Sequence, residues 1–346
     1  MFDHSSFDAH EGVHLFHDAA SGLKAIIAIH STALGPAAGG CRMWNYATGE
    51  AMLRDALRLS QGMSYKNAMA DIPLGGGKAV IWGDAKADKS PDLFRAFGRA
   101  VESLQGKYIT AEDVGIGVAD MQIVREETAH VAGLDEGDAA SGDPSPITAM
   151  GIYLGIRETA KRAFGTDDLT GRTIAVQGVG SGGGHVCEHL AKAGANLVIT
   201  DIDQAALSDI SARTGARIVQ PDDIYDVEAD IFSPNALGAI INEQTLERFR
   251  VKAIAGGANN QLVVPEMGEL LRRRGILYAP DYVINGGGII NVCAEISGTY
   301  SRDWVDGKVK ALMTTLGQVL DTALENDEPT NLVAGRIARQ RIGRTD

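Results

Sequence analysis

The stretch TIAVQGVGSGGGHVCEHLAKAGANLVITD (residues 173–201) decides the fold of this 346-residue chain. It predicts a strand over 173–177, a glycine turn, a helix to Ala193 and a second strand over 197–200. Three glycines fit the pattern G-x-G-x-x-G, in which they form a tight turn, allow close approach of a pyrophosphate and allow the helix to pack on the strand. They are Gly178, Gly180 and Gly183.

Asp201 follows the second strand of this stretch. An acid at this place hydrogen-bonds the adenosine ribose hydroxyls and repels a 2′-phosphate. The stretch therefore predicts a dinucleotide site that prefers NAD to NADP. A bare glycine pattern can also be a flexible turn, but here strand, helix and acid stand in register.

Strands and helices alternate on both sides of this stretch. Further strands are predicted over 229–232, 251–255 and 276–279, which indicates a parallel, doubly wound sheet. In the first half, the predicted strands are 23–30, 79–82 and 108–111, and the predicted helices are 50–62, one beginning at Ser90-Pro91, and 118–131. The Gly/Asp/Ser/Pro stretch 133–147 is predicted to be an inter-domain loop, and the last 40 residues are predicted to be helical.

Composition excludes several classes of partner. The chain has 32 Lys and Arg against 45 Asp and Glu, a net charge of −13, which argues against nucleic acid or an anionic membrane. No apolar run approaches the ~18 residues of a membrane span, and no signal-peptide pattern opens the sequence. Three cysteines lie far apart, as expected for free thiols in a reducing cytoplasm, so a cytoplasmic protein is expected.

A second glycine run, PLGGGK (73–78), places Lys78 directly before an apolar strand. The run is expected to form a loop that packs tightly against a ligand. Lys66 lies twelve residues earlier, and Asp113 follows a predicted strand in TAEDVG. Two lysines in one cleft would lower each other's pKa, which suits one of them to act as a neutral base. The alternatives are solvated surface lysines or a phosphate-binding turn, although Ala79 stands where that turn needs Ser or Thr.

Several motifs spread over nearly the whole chain resemble the Glu/Leu/Phe/Val amino-acid dehydrogenase family. They are LGPAAGGCRMW (34–44), KNAMADIPLGGGKAVIW (66–82), YITAEDVG (108–115), AVQGVG (175–180), GGANNQL (256–262) and APDYVINGGGIINV (279–292). The KNA and TAED motifs are most similar to leucine-type members, with phenylalanine-type members next. Such enzymes interconvert an L-amino acid and its 2-oxo acid, with NAD as hydride acceptor and release of ammonia.

The resemblance implies an α/β fold with a cleft between an N-terminal α/β domain and a C-terminal doubly wound Rossmann domain. The expected substrate and oligomerisation domain is 1–140 with 320–346, and the expected NAD-binding domain is 141–319. Related enzymes form dimers to octamers, so a homo-oligomer is expected by resemblance.

The resemblance also implies roles for individual residues. Lys66 would bind the substrate α-carboxylate, Lys78 would activate water for attack on the imine, and Asp113 would move protons at the amino group. The other implied contacts are backbone groups of Gly39 and Gly40 beside the amino acid, Asn259 orienting substrate or cofactor, Thr148 on the nicotinamide carboxamide, and Asn260 as an alternative to Asn259.

The expected side-chain pocket is apolar and is lined by Ala38, Met63, Ala111, Ile289 and Val292. Glutamate-type members have lysine in place of Ala38 and serine near Val292, so a glutamate side chain here would be buried without a partner. Leucine, isoleucine or valine is therefore expected. Leucine-type members usually have a larger residue in place of Ala38, so phenylalanine or tryptophan remains an alternative.

Other classes fit the sequence less well. Four N-terminal histidines (His4, His10, His14 and His17) lack a Cys or paired acid to complete a metal site, so no metal is expected. A non-catalytic NAD-binding sensor would keep the glycines and Asp201 but would need neither lysine. A hydroxyacid dehydrogenase would normally need a His–Asp pair, which no motif offers.

Overall fold

The structure, a computed structural model, describes residues 2–134, 145–298 and 300–344. The chain divides into two compact units. The first comprises Met1–Gly142, Val292–Arg302 and Ala338–Asp346, and the second comprises Asp143–Asn291 and Asp303–Ile337. The expected boundary at 140/141 and most of the loop 133–147 lie outside the described residues. The chain returns to the first unit at residues 292 and 338, whereas the sequence predicted one return, at residue 320.

The first unit contains a mixed sheet in the order β1-β2-β5-β3-β6, with β4 beside β5. Strand β2 is antiparallel to both β1 and β5, and β3 and β4 are parallel to β5. The strands are β1 (Gly12–Asp18), β2 (Leu23–Ser31), β3 (Ala37–Ala38), β4 (Cys41–Trp44), β5 (Gly75–Trp82) and β6 (Tyr108–Ile109). The mixed order brings β3, β4 and β5 together, and these strands carry most of the predicted catalytic motifs.

The first unit has three helices before residue 134, of which the first two begin at a side-chain cap, Thr48 and Ser90. They are α1 (Gly49–Met69), α2 (Pro91–Glu102) and α3 (Val118–Arg125). The hydroxyl of Ser90 accepts a hydrogen bond from the Leu93 nitrogen at 3.2 Å, which confirms the predicted start of α2. Helix α1 runs seven residues beyond its predicted end at residue 62, and α3 ends at Arg125 rather than at Val131.

The glycine run Gly75–Gly77 is not the loop that the sequence predicted, because all three residues belong to strand β5 and are buried. A Cβ atom at Gly76 would lie 2.0 Å from the backbone nitrogen of Ser64 on α1. One at Gly77 would lie 2.8 Å from the ring of Tyr108. The glycines therefore allow the strand to pack against protein backbone and side chains, which places Lys78 on a rigid element.

The second unit contains a parallel sheet in the order β12-β11-β10-β7-β8-β9, which confirms the doubly wound prediction. Counted from β7, this is the 3-2-1-4-5-6 order of dinucleotide-binding folds, with its switch point between β7 and β10. The strands are β7 (Thr173–Gln177), β8 (Asn196–Thr200), β9 (Arg217–Ile218), β10 (Ile231–Pro234), β11 (Ala253–Ile254) and β12 (Leu277–Tyr278). The last three strands are shifted or shortened by about two residues relative to the prediction.

Helices connect these strands and continue to the end of the described chain. They are α4 (Ser145–Phe164), α5 (Ser181–Lys192), α6 (Gln204–Thr214), α7 (Glu243–Arg248), α8 (Met267–Arg273), α9 (Asp281–Ile284), α10 (Gly287–Ile296), α11 (Arg302–Asn326) and α12 (Thr330–Arg341). Helices α11 and α12 occupy most of the described part of the last 40 residues, which confirms the prediction of a helical C-terminal segment. No helix among the described residues is long and apolar enough to cross a membrane.

A buried polar network in the first unit joins residues from the start and the end of the chain. The Arg344 guanidinium donates to His30 Nε2 at 2.6 Å and to the Asp8 carbonyl at 2.6 Å. The same Nε2 lies 3.1 Å from Asp8 Oδ2, and His30 Nδ1 lies 2.8 Å from the Ser64 hydroxyl. Burial and the neighbouring Arg344 charge lower the pKa of His30 to about 4. The network therefore holds His30 in its neutral form.

The free energy of unfolding is expected to fall as pH falls from about 6.5 to about 4. Over this range the unfolded chain binds a proton at His30 that the folded chain does not bind. The side chain is 0% exposed, so the loss is expected to be on the order of 3 kcal/mol. Denaturant unfolding of the wild-type protein and of His30→Gln at several pH values measures this loss of unfolding free energy. The variant should lose much of the dependence, and His17→Gln, an exposed control, should keep it. An unchanged pH dependence in His30→Gln would contradict the assignment.

Candidate active site

Lys78 and Asp113 form a largely buried ion pair in the first unit. Lys78 lies in the middle of β5 and is 5% exposed. Its Nζ lies 2.8 Å from Asp113 Oδ2. Asp113 follows β6, in a turn closed by a bridge to Ile116. The two predicted catalytic residues are therefore brought together, although they are 35 residues apart in the sequence.

A second cation, Arg42 on β4, also contacts Asp113, with its Nε 3.2 Å from Oδ2. Burial raises the pKa of Asp113, but the charge and hydrogen bond of Lys78 and the charge of Arg42 lower it more, so the net pKa lies below the usual value. Asp113 is consequently ionised at neutral pH. It can accept a proton from a group placed beside it.

Sequence reasoning missed the role of Arg42 in this arrangement. Its Nη1 donates to Asp55 Oδ2 on α1 at 3.0 Å, and the Tyr46 hydroxyl donates to the same oxygen at 2.6 Å. The signal was present, because Arg42 alternates with the buried Cys41 and Met43 along a short strand within a quoted motif. Its partners, however, are 13 and 71 residues away in the sequence.

Lys66 is half-buried on the last turn of α1. The next residue, Asn67, donates from Nδ2 to the Gly75 carbonyl at 2.6 Å, which ties this turn to the start of β5. Arg341, near the end of the chain, donates to the Ala68 and Met69 carbonyls at 2.9 and 3.0 Å. The helix end that carries Lys66 is therefore held from two sides.

The predicted backbone contacts, Gly39 and Gly40, lie where a side chain would not fit. A Cβ atom at Gly39 would lie 2.0 Å from the Gly77 carbonyl oxygen and 3.0 Å from Met63, and one at Gly40 would lie 2.9 Å from the Cβ of Asp113. The hydroxyl of Tyr108 donates to the Gly39 carbonyl at 2.6 Å. This turn therefore places main-chain atoms close to the Lys78–Asp113 pair.

The predicted pocket residues are divided between the two units. Ala38 is 2% exposed on β3, and Ala111, Met63 and Val292 are half-buried residues of the first unit. Ile289 is half-buried on α10 and belongs to the second unit. Their common pocket remains a prediction.

In the second unit, the predicted cofactor residues follow the carboxyl ends of parallel strands, where ligands of such sheets bind. Gly178 follows β7 with φ +91°, and a Cβ at Gly183 would lie 2.0 Å from the Gly178 carbonyl oxygen. Gly180 precedes α5, and a Cβ there would meet no atom within 4 Å. Asp201 follows β8 and accepts a hydrogen bond from the Val179 nitrogen at 2.7 Å. This cradle fits a dinucleotide pyrophosphate and ribose.

Thr148, Asn259 and Asn260 lie near the same edge of the sheet. A Cβ atom at Gly288 would lie 3.0 Å from the Thr148 hydroxyl, so Thr148 is beside the start of α10. Asn259 and Asn260 are exposed in the loop after β11. Asn260 has φ +52°, and its carbonyl accepts from the Ala239 nitrogen at 2.7 Å.

The three cysteines are buried and are joined in no disulfide bond within the described residues, and burial raises the pKa of the Cys41 thiol well above its usual value. Within the described ranges, no group of three or more His, Cys, Asp or Glu residues is placed to hold a metal ion. Two of the N-terminal histidines make protein contacts: His10 Nε2 lies 3.0 Å from the Leu57 carbonyl, and His4 Nε2 lies 3.1 Å from Glu50.

Comparisons with known proteins identify relatives of this chain. Residues 10–130 match the family model "Glu/Leu/Phe/Val dehydrogenase, dimerisation domain", and residues 199–344 match "Glutamate/Leucine/Phenylalanine/Valine dehydrogenase". A leucine dehydrogenase of Bacillus subtilis is 51% identical over 94% of this chain and 90% of its own length. A phenylalanine dehydrogenase of Bacillus thermotolerans is 46% identical over 96% and 88%, respectively. The solved structure of L-tryptophan dehydrogenase from Nostoc punctiforme is 42% identical, with a TM-score of 0.85 over 96% of both chains.

Proposed function

Because the chain belongs to the Glu/Leu/Phe/Val dehydrogenase family, we propose that it catalyses the reversible, NAD-dependent oxidative deamination of a bulky apolar L-amino acid. The products are the 2-oxo acid and ammonia, and the first candidates for substrate are leucine, valine and isoleucine. The observation that carries the proposal is the Lys78–Asp113 ion pair at 2.8 Å. A non-catalytic NAD-binding protein would have no need for this pair.

Three side chains divide the chemistry. The Lys66 ammonium pairs with the substrate α-carboxylate. Asp113, ionised at neutral pH, accepts a proton from the substrate ammonium, so that the nitrogen lone pair can form the imine as hydride leaves the α-carbon. Lys78 is a cation in its ion pair with Asp113, and after it has released that proton it can take a proton from the water that attacks the imine carbon. Asp113 returns a proton to the nitrogen, and the carbinolamine breaks down to the 2-oxo acid and ammonia.

NAD supplies the hydride acceptor when bound. The residues that would hold it are Gly178, Gly180 and Gly183 at the pyrophosphate, Asp201 at the adenosine ribose and Thr148 at the nicotinamide carboxamide. Asn260 was the alternative to Asn259 for a ligand contact. The side chain of Asn260 is exposed, and we propose a ligand contact for it only as this alternative.

Asp201→Ser is expected to weaken the preference for NAD over NADP. The substitution removes the negative charge that repels a 2′-phosphate. The ratio of kcat/KM values for the two cofactors measures the effect, and Asp203→Ser, two residues further on at the cap of α6, is the control. Equal activity of the wild-type protein with both cofactors would remove the basis for assigning Asp201.

The substrate preference rests on the absence of a charged partner in the proposed pocket. Glutamate is disfavoured because Ala38 and Val292 offer no group to pair with its side-chain carboxylate. Small amino acids lose about 0.8 kcal/mol of burial for each missing methylene. A phenylalanine or larger substrate is the second candidate, because Ala38 leaves more room than a larger aliphatic residue would. NADH absorbance with leucine, valine, phenylalanine, tryptophan and glutamate tests the proposal, and a preference for glutamate would overturn it.

Ala38→Leu is expected to reduce activity on phenylalanine more than on valine, by about 10-fold or more in the ratio of kcat/KM values. The larger side chain would shorten the pocket if Ala38 forms its floor. Because Ala38 is buried, thermal unfolding must accompany the kinetics. A stable variant with an unchanged Phe/Val ratio would show that another residue sets the pocket depth.

A homo-oligomer is part of the proposal. The model that matches residues 10–130 describes a dimerisation domain, and strand β1 within this range lies at the edge of its sheet. Light scattering of the purified protein measures the subunit number.

A further inference from the structure

Asn285, which no role above includes, contacts the loop that carries Asn259. It ends helix α9 in the second unit and is 6% exposed. Its Nδ2 donates to the Gly257 carbonyl at 3.1 Å and to Asn259 Oδ1 at 2.8 Å. Both protons of this amide are therefore directed at the loop after β11.

These contacts determine which way each amide faces. The Gly257 carbonyl can only accept a hydrogen bond, so the atom of Asn285 that faces it must be Nδ2. Gly257 itself is held in place, because its nitrogen donates to Asn235 Oδ1 at 2.9 Å. Since Nδ2 of Asn285 also faces Asn259, the facing atom of Asn259 must be its oxygen. The Asn259 amide therefore directs Nδ2 away from Asn285.

Packing alone does not account for an asparagine at this position. Asn285 Oδ1 is buried and has no hydrogen-bond partner among the described residues. A buried polar atom without a partner is unfavourable, and an apolar side chain of similar size would avoid it. The donor function of the amide is the property that an apolar residue could not supply.

We propose that Asn285 is a positioning residue that orients Asn259 to donate a hydrogen bond from Nδ2 to an oxygen atom of a bound ligand. The inference deepens the proposed function and rests on it. The oxygen belongs either to the substrate carboxylate or to the nicotinamide carboxamide, which share the chemistry of an sp² acceptor. Asn260 is held differently, because the contact that fixes it is made by its backbone carbonyl, which accepts from the Ala239 nitrogen.

The test compares Asn285→Leu, Asn259→Ala and the double variant. Loss of the hydrogen bond corresponds to about 10- to 100-fold for a carboxylate acceptor and to about 2- to 10-fold for a carboxamide. Each single variant should raise the dissociation constant or KM of the ligand concerned by that factor. If Asn285 acts through Asn259, the double variant should be no weaker than Asn259→Ala. The proposal would be overturned if the fold-changes of the two single variants multiplied in the double variant. It would also be overturned if Asn285→Leu bound both the amino acid and NADH with wild-type constants.

Two measurements identify the acceptor. NADH binding is followed by fluorescence without substrate, and the KM of the amino acid is measured at saturating NAD. A raised KM with unchanged NADH affinity assigns the substrate carboxylate, and a weakened NADH affinity in both single variants assigns the carboxamide. Absence of amino-acid oxidation by the wild-type protein would instead be a failure of the proposed function, and the NADH titration would still test the coupling.

Gln261 provides the matched control. It is 0% exposed in the same loop, and its Nε2 donates to the Gly256 and Ala258 carbonyls at 2.8 and 2.9 Å. Gln261→Met should therefore disturb the loop without changing the orientation of the Asn259 amide. In the double variant, its fold-change in the binding constant should multiply with that of Asn259→Ala. If Asn285→Leu does not fold, Asn285→Asp keeps the size but replaces the donor by an acceptor, and it should reverse the Asn259 amide with the same loss. Wild-type constants in folded Asn285→Asp would equally contradict the proposal.

Discussion

Lys78→Ala is expected to lower kcat by about 10²- to 10⁴-fold, which is the range that a positioned base contributes. The side chain is buried on a strand, and its Nζ lies 2.8 Å from Asp113, so the substitution removes the amine from this point of the site. NADH binding should remain close to that of the wild-type protein, because the proposed cofactor residues belong to the second unit. Steady-state kinetics and NADH fluorescence provide the two measurements.

A matched substitution separates catalysis from general damage. Lys86 is an exposed lysine that follows β5, and Lys86→Ala should leave kcat unchanged. In Lys78→Ala, Asp113 retains its contact with Arg42, so the protein should still fold, which thermal unfolding will show. Turnover near the wild-type value in a folded Lys78→Ala protein would refute the assignment of Lys78 as base.

Asp113→Asn is expected to cause a second large loss, again about 10²- to 10⁴-fold in kcat. The substitution keeps the shape of the side chain but removes the carboxylate that accepts the substrate proton and pairs with Lys78. Since the carboxylate pKa is lowered in the folded protein, the wild-type enzyme should not lose activity through protonation of Asp113 until the pH is below the usual range of a carboxyl. A pH profile of kcat measures this limit.

Asp55→Asn is the control for this experiment. Asp55 and Asp113 both contact Arg42, but only Asp113 also pairs with Lys78 in the described contacts. Asp55→Asn should therefore change kcat by only a few-fold. Equal losses in the two variants would mean that the position of Arg42, and not proton transfer by Asp113, limits the reaction.

Local signals were sufficient for the central part of the second unit. Strand β7, the glycine turn, helix α5 and strand β8 were predicted to within one residue. Here each boundary is marked by a residue whose backbone preference decides it, such as Gly178 with its positive φ. The same is true of Ser90 and Pro91 at the start of α2. The choice of Lys78 and Asp113 as catalytic residues followed from the family resemblance together with the chemistry of the residues, whereas their ion pair was not predicted.

Non-local contacts account for what the sequence did not predict. Glycine is unfavourable in strands, so Gly75–Gly77 indicated a loop. Only the approach of α1 and Tyr108 shows why the strand begins there. Strand β1 was not predicted, because at the sheet edge its alternation of His, Leu and Phe is only half-buried. The partners of Arg42 lie on separate elements, and a local sequence pattern cannot predict a contact between residues that are far apart in the chain.

The discontinuous first unit also has a consequence for protein synthesis. Its Asp8 side chain pairs with Arg339, and Arg341 donates to carbonyls at the end of α1, yet 195 residues lie between residue 142 and residue 338. At about 5–20 residues per second, the ribosome needs about 10–40 s to cover that interval. During this time the N-terminal sheet is complete in sequence but lacks its closing contacts. The second unit is completed only by residues 303–337, so both units are expected to mature only after the C-terminal helices have been synthesised.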